Sequence, residues 1–327
     1  MAGIFDALPG EEVPVGTISG GLNEMWSGAA ADGRPSPPTD DAKATQVNFV
    51  LHLGLRTDAA DAVSQFETAV RFSRCYPCRV VVLCPVDDGS APAEIRAKVY
   101  GECSIGKSAD DTRCCEFVML SYPRSARIYL ENQVSICLST DLPLYYWAHR
   151  FTDSARLADY RYLLTTAKRV LIDSATAPAG AIGFPWPRPE NVRDLAFARL
   201  LPVRQMIGQF LSRYPVGSLS GDLRSITLAH GAEVSCEARV LLSWARDRIR
   251  ACGAAGETFD LVPSADLPAR AFALTFAYGD RRFFACRADL ASAHATLDAD
   301  FGSGRTTMPA SVALLSQESA LSEAMFF

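Results

Sequence analysis

The chain has 327 residues, 49% of them hydrophobic and 21% charged, with a formal net charge of −5 at pH 7. That length allows two domains, each with its own core, and the composition is that of an ordinary globular protein. No Lys/Arg block offsets the acidic balance, which excludes nucleic acid as the main partner, because affinity for it rests on neutralising phosphates.

Met1–Glu12 carries neither a basic n-region nor an apolar h-region, so no signal peptide is expected. No apolar run approaches the roughly 20 residues that span a bilayer, and a cytoplasmic protein with no membrane partner is expected. Val13, Val15, Ile18, Leu22, Met25 and Trp26 suit a short amphipathic helix over 13–27. Residues 28–43, rich in Pro, Gly and Ala, read as a linker. The stretch 1–44 is therefore predicted to be a helix and linker ahead of the first domain.

A strand over Val47–Leu53 opens that domain. Thr57 or Asp58 then caps a helix whose Ala62, Phe66, Ala69, Val70 and Phe72 keep a helical period. Pro77 ends it, and Arg79–Cys84 reads as a buried strand. Strands over 94–103 and 114–121 flank a polar turn starting at Gly106, and a helix around 124–138 leads into Ser139–Phe151. There Tyr145, Tyr146 and Trp147 favour a pleated surface, giving a strand over Leu144–Ala148 that Pro143 introduces. A helix over 155–168, capped by Asp153 or Ser154, and a strand Arg169–Asp173 follow. This alternation predicts an α/β fold, a Rossmann-like layered domain over 45–180 with a mostly parallel or mixed sheet.

Four prolines and two glycines between 177 and 190 mark a boundary. A smaller α+β domain is predicted over 188–327. Its elements are a long helix Asn191–Ser212 kinked at Pro202, a strand 223–229, a helix 233–251 and a strand 258–262. A hairpin 271–278/281–287 turning at Gly279-Asp280 follows, then a short tail helix within 316–327.

Gly101–Ser108 satisfies G-x-x-x-x-G-K-[ST], the loop in which backbone N–H groups wrap phosphates, Lys107 would reach the terminal one and Ser108 would bind magnesium. Such a loop opens a helix directly. Here two aspartates and a strand follow, so a hairpin turn is the better reading and a nucleotide-binding enzyme the alternative. Ten cysteines without an export signal are expected to remain thiols, seven of them between 75 and 137. Cys75, Cys78, Cys114 and Cys115 are the candidates for a redox or zinc sensor. Cys114 and Cys115, adjacent on a strand, face opposite ways. None of the four histidines falls in a zinc-protease pattern, no G-x-S-x-G is present, and no glycine-rich dinucleotide fingerprint follows a strand. No catalytic residue, cofactor or metal site is read from the sequence.

An ordered series of segments resembles one known family. Tyr76-Pro-Cys-Arg-Val-Val-Val-Leu83 comes first, then Cys114-Cys-Glu116, Asp141-Leu-Pro-Leu-Tyr-Tyr-Trp147, Val170-Leu-Ile-Asp-Ser174 and Asp194-Leu-Ala-Phe-Ala-Arg199-Leu-Leu-Pro-Val-Arg204. Over about 45–250 the chain is similar to the glucose-6-phosphate dehydrogenase assembly proteins, the OpcA family, departing from their tryptophan-rich form at Phe197 and Val203. The resemblance implies a non-catalytic bacterial protein of the oxidative pentose phosphate pathway. It would bind the dehydrogenase and act as an allosteric activator of its assembly; redox response in some relatives is implied with it. Aromatic and Arg side chains most often anchor interfaces; the Asp141 turn with Arg150, and Asp194, Arg199 and Arg204 on the kinked helix, are the expected partner contacts, with an internal Asp194–Arg199 ion pair joining the two domains as the alternative. Strand alternation assigns Trp147 to the core. Whether the chain associates with itself is not legible in the sequence.

Overall fold

The computed structural model describes residues 3–34, 36–37, 46–87, 94–105, 112–151, 154–181 and 183–327. It divides into two compact units, Met1–Leu195 with Gln317–Phe327, and Ala196–Ser316. The first unit contains α1 (Ile4–Ala7), β1 (Glu11–Val13), α2 (Ile18–Ala31), β2 (Val47–Leu53), α3 (Ala59–Cys75), β3 (Cys78–Val86), β4 (Arg96–Ile105) and β5 (Thr112–Pro123). It continues with α4 (Leu130–Cys137), β6 (Leu144–His149), α5 (Arg161–Thr166), β7 (Arg169–Ile172) and β8 (Val192–Asp194). Its eight strands lie in the order β1-β4-β5-β3-β2-β6-β7-β8. The six strands from β5 to β8 in that order are mutually parallel, and β4 and β1 are antiparallel additions at one edge.

Sequence dictates the middle of this sheet. Strand β2 is buried at every residue and so is β6, as a parallel sheet covered on both faces requires. Tyr145, Tyr146 and Trp147 are therefore core, each at most 3% exposed. Asn48, the polar residue near the start of β2, donates to the carbonyls of Ser139 and Leu142 and accepts from the Ser139 amide, which fixes the turn before β6. Helix α3 starts where Asp58 accepts from the Asp61 amide.

The N-terminal segment belongs to this unit, unlike the expected separate helix and linker. Strand β1 pairs with β4, the buried Lys98 ammonium donates to the carbonyls of Phe5 and Leu8, and Trp26 of α2 donates to the buried Glu116 carboxylate. The predicted linker residues 35 and 38–43 lie outside the described residues, and α2 runs on to Ala31.

The second unit holds α6 (Leu195–Arg199, its first residue shared with the first unit), α7 (Leu201–Leu211), α8 (Val216–Ser220), β9 (Leu223–His230), α9 (Ser235–Ala251), β10 (Thr258–Pro263), β11 (Ala271–Tyr278), β12 (Phe283–Asp289), β13 (His294–Asp300) and β14 (Thr306–Ser311). The strand order is β10-β9-β11-β12-β13-β14, with only β10 and β9 parallel. The predicted long helix 191–212 is instead β8, α6 and α7. Pro202 sits in the first turn of α7, where its missing N–H costs nothing, so the chain breaks there and starts a new helix.

The tail returns to the first unit as α10 (Gln317–Phe326) and packs on α3. Gln317 accepts from Thr68, Ser322 bonds the Tyr76 hydroxyl, and the Phe326 ring meets Phe72, Tyr76 and Tyr145. This and residues 188–195 move the unit boundary away from the proline-rich stretch. The α/β class, a layered domain followed by a smaller mixed one, is the one expected.

Candidate functional site

The first two predicted contact residues flank β6. Asp141 is exposed on the turn that Asn48 holds. Arg150 lies at the other end, a strand length of about 20 Å away. Its φ of 47° is left-handed, which is costly for a side chain with a Cβ. The position is over-determined by its neighbours. The Gly54 amide donates to the His149 carbonyl at 2.6 Å, and a Cβ on Gly54 would sit 2.1 Å from the Arg150 carbonyl oxygen. Arg150 Nε and His149 Nε2 both reach the Asp61 carboxylate, at 2.7 and 2.9 Å. Burial works to raise the Asp61 carboxyl, but hydrogen bonds from His149 and Gln65, with the charge of Arg150, outweigh it and hold the acid below its usual range. Burial pushes His149 downward, so it serves as a neutral donor.

The other three serve internal bonds in the described fold. Asp194, closing β8, accepts from the Ser174 amide at 3.0 Å and its hydroxyl at 2.6 Å. Arg199 is 15% exposed and pairs with Glu237 of α9 at 3.0 Å, while its carbonyl accepts from the Leu315 amide. Arg204 stacks its guanidinium 3.6 Å from the centroid of Phe197, a ring that stays 39% exposed. Phe197 and Arg204 thus present a cation–π pair at the surface of the second unit.

The cysteine expectations need correction. Cys103 and Cys114 are joined by a disulfide, so the ten cysteines are not all thiols. The cause is register: the two are directly paired across the antiparallel β4–β5 ladder, with Cα atoms 4.1 Å apart. Cys115 faces the other side, as strand alternation requires, and its thiol donates to the Ser73 carbonyl beside the buried Cys78. The hydrogen bond between these two thiols holds Cys115 below the usual thiol range and Cys78 well above it. Cys75 is exposed at the end of α3. The four candidates therefore do not converge, and no cluster of three or more potential metal ligands occurs among the described residues.

The strands around Gly101–Ser108 are the antiparallel pair that the hairpin reading expects. Residues 106–111, including Lys107 and Ser108, lie outside the described residues, as does Asp153. What flanks the former is an antiparallel strand pair, β5 beginning at Thr112 where a phosphate loop would open a helix. Gly101 has a packing reason, because a Cβ there would lie 2.5 Å from the Trp26 ring.

Sequence reading missed a crevice over the carboxyl ends of β2, β3, β5 and β6. His52, Gly54, Leu55, Pro85, Val86, Arg124, Phe151, Arg156, Asp159 and Tyr160 line it. Its floor is His52, wholly buried between the hydroxyls of Tyr146 at 2.8 Å and Tyr122 at 2.7 Å. It also missed Ile128, Tyr129 and Ile136, large side chains more than half exposed on one segment. A helical periodicity that leaves apolar residues on two faces is the signal that marks the latter.

Fold and placements together define a two-unit α/β protein with outward Asp141 and Phe197–Arg204. Residues 69–183 match the OpcA family model described as "Glucose-6-phosphate dehydrogenase subunit N-terminal domain", about a third of the chain, and this match supports the resemblance to the dehydrogenase assembly proteins read from the sequence. No curated protein matches the chain. Solved structures similar to it include a dipicolinate-bound dihydrodipicolinate reductase from Paenisporosarcina sp. TG-14, at 11% identity and TM-score 0.40, covering 86% of this chain and 93% of that one. A 3-ketoreductase from Actinomadura kijaniata in complex with TDP-benzene and NADP has 11% identity and TM-score 0.41, with 86% and 89% covered. An aldose-aldose oxidoreductase from Caulobacter crescentus has the same identity and score, with 84% and 87% covered. At these scores the likeness carries no functional argument. No helix among the described residues is long and apolar enough to cross a membrane.

Proposed function

We propose that the protein binds glucose-6-phosphate dehydrogenase in bacterial cytoplasm and promotes its active oligomer, performing no chemistry itself. The observation that carries this reading is the family match over residues 69–183. The physical requirement is linkage: the protein must bind the active assembly more tightly than the inactive one, by the factor through which it shifts that equilibrium. Asp141, Arg150 and Arg204 are the direct contacts, Arg204 with the Phe197 ring forming an arginine–aromatic anchor. Asp194 and Arg199 act by holding the backbone near them in place, through Ser174 and Glu237.

Titrating the protein into the dehydrogenase of the same organism, with activity and light-scattering mass recorded together, tests the proposal. A complex with a larger active assembly is expected, weakened by Arg204→Ala. Unchanged mass and unchanged substrate affinity at saturating protein would refute it. A thiol-based sensor keeps one supporting observation, the Cys103–Cys114 disulfide; the count of eight free cysteines should rise by two on reduction, with dehydrogenase binding altered.

A further inference from the structure

The crevice of the first unit lies where an open α/β sheet takes ligands. From β2 the chain builds outward through β3 and β5 on one side, then crosses to build β6, β7 and β8 on the other. The reversal falls between β2 and β6, and ligands of such sheets bind outside the carboxyl ends of the strands at that point. The crevice is shallow, with interior room for only a few water-sized groups and the remainder open to solvent, so a ligand there has to be compact and lie across the mouth.

Two features exclude a dinucleotide. The ends of β2 and β6 are knitted together by the Gly54–His149 hydrogen bond and the close approach of Gly54 to Arg150, so the backbone itself occupies the switch point where a diphosphate would approach. The start of α3, where a diphosphate would sit, already carries the Asp58 cap and the Asp61 carboxylate.

What remains is a positive rim above apolar walls. Arg124 and Arg156 stand on the rim with one carboxylate, Asp159, which Arg124 and the neighbouring Arg127 approach only to 3.7 Å. Arg156 makes no ion pair among the described residues. Leu55, Pro85, Val86 and Phe151 supply the walls, and the Tyr160 hydroxyl is turned inward to Tyr122 at 2.8 Å. The guanidiniums therefore outnumber the acid at the mouth, and a planar fork suits a carboxylate or phosphate.

We propose that this crevice binds a small organic anion, its carboxylate or phosphate held by Arg124 and Arg156 and its compact apolar body packed on Leu55, Pro85 and Phe151. This goes beyond the dehydrogenase reading and does not rest on it.

Isothermal titration calorimetry on the full chain tests the assignment, with phenyl phosphate, benzoate, phenol and inorganic phosphate as probes. Phenyl phosphate or benzoate is expected to bind with a Kd below about 1 mM, at least about tenfold tighter than phenol or inorganic phosphate, as a joint charge and body requirement demands. The better of the two anions identifies the head group. Arg156→Gln should weaken that binding about tenfold or more by removing a charge-assisted contact. Leu55→Trp, which fills the crevice without changing charge, should abolish it; circular dichroism checks that both variants fold. Failure of both organic anions to bind at low millimolar concentration overturns the proposal, as does binding that survives both substitutions.

Discussion

Lowering the pH from 7 to 5 is expected to destabilise the first unit through His52. Burial alone holds its imidazole neutral, with the pKa pushed down to about 3, whereas an unfolded histidine titrates near 6.5. Because the folded value is the lower, the unfolded state takes up the proton first. The stability present above pH 6.5 is therefore lost as pH falls from there towards 3. At about 1.4 kcal/mol per pH unit, the interval from 6.5 to 5 costs about 2 kcal/mol. The hydrogen bonds agree in sign: Tyr122 and Tyr146 flank a ring that donates through one nitrogen and accepts through the other, and protonation would remove the acceptor. Urea denaturation of wild type and His52→Gln at both pH values is the assay. The variant should be weaker at pH 7, and its loss on acidification should be smaller than the wild-type loss by about 2 kcal/mol. His149 shifts in the same direction but is present in both proteins, so the difference isolates His52. Equal losses in the two proteins would refute the account.

Three substitutions test the frame around the predicted contacts. Glu116→Ala strips the acceptor from Trp26 and the partner from Arg79, whose side chain stays 32% exposed. Allowing for that solvent access, a loss of about 3 kcal/mol is expected in chemical denaturation, with red-shifted Trp26 fluorescence and a smaller loss for Glu116→Gln. Gly54→Ala forces a methyl against the carbonyl oxygens of His149 and Arg150; because the obstacles are backbone, about 3 kcal/mol or more should be lost from the unfolding free energy. Asn48→Ala removes three part-buried hydrogen bonds to the Asp141 turn; a loss of about 2–3 kcal/mol should accompany faster hydrogen exchange at the Ser139 amide.

The parts of the fold legible in sequence are those set by local pattern. The uninterrupted apolar run of β2 and the aromatic run of β6 have no polar side to show solvent, so burial on both faces follows from composition. Gly279-Asp280 likewise announces its hairpin. Strands β13 and β14 escaped because His-Ala-Thr-Leu-Asp-Ala-Asp and Thr-Thr-Met-Pro-Ala-Ser mix small, acidic and proline residues. They are strands because a neighbour pairs with them, and Pro309 is tolerated because β14 is an edge. The site was less legible still. Whether Arg199 is free or bonded depends on Glu237, and whether Cys114 is a thiol depends on its register with Cys103. Spacing within one segment encodes neither.

The carboxyl ends of the parallel strands show why a fold frame and a ligand have to be argued separately. In an open α/β sheet this edge gathers groups from segments far apart in sequence, here Asp61 from α3 and His149 and Arg150 from β6 and the turn after it. Their charges are spent on one another: the acid that would repel a diphosphate from the start of α3 also fixes the left-handed Arg150. That fixing has a consequence for the proposed partner contact. A guanidinium held by Asp61 and a backbone pressed against Gly54 give Arg150 little conformational entropy to lose on binding, so a partner carboxylate meeting it would keep more of the interaction energy than one meeting a freely rotating arginine. One edge of the sheet can thus be closed to a dinucleotide at the β2–β6 junction, open to a small anion beside it, and stiff enough at Arg150 to serve a protein surface.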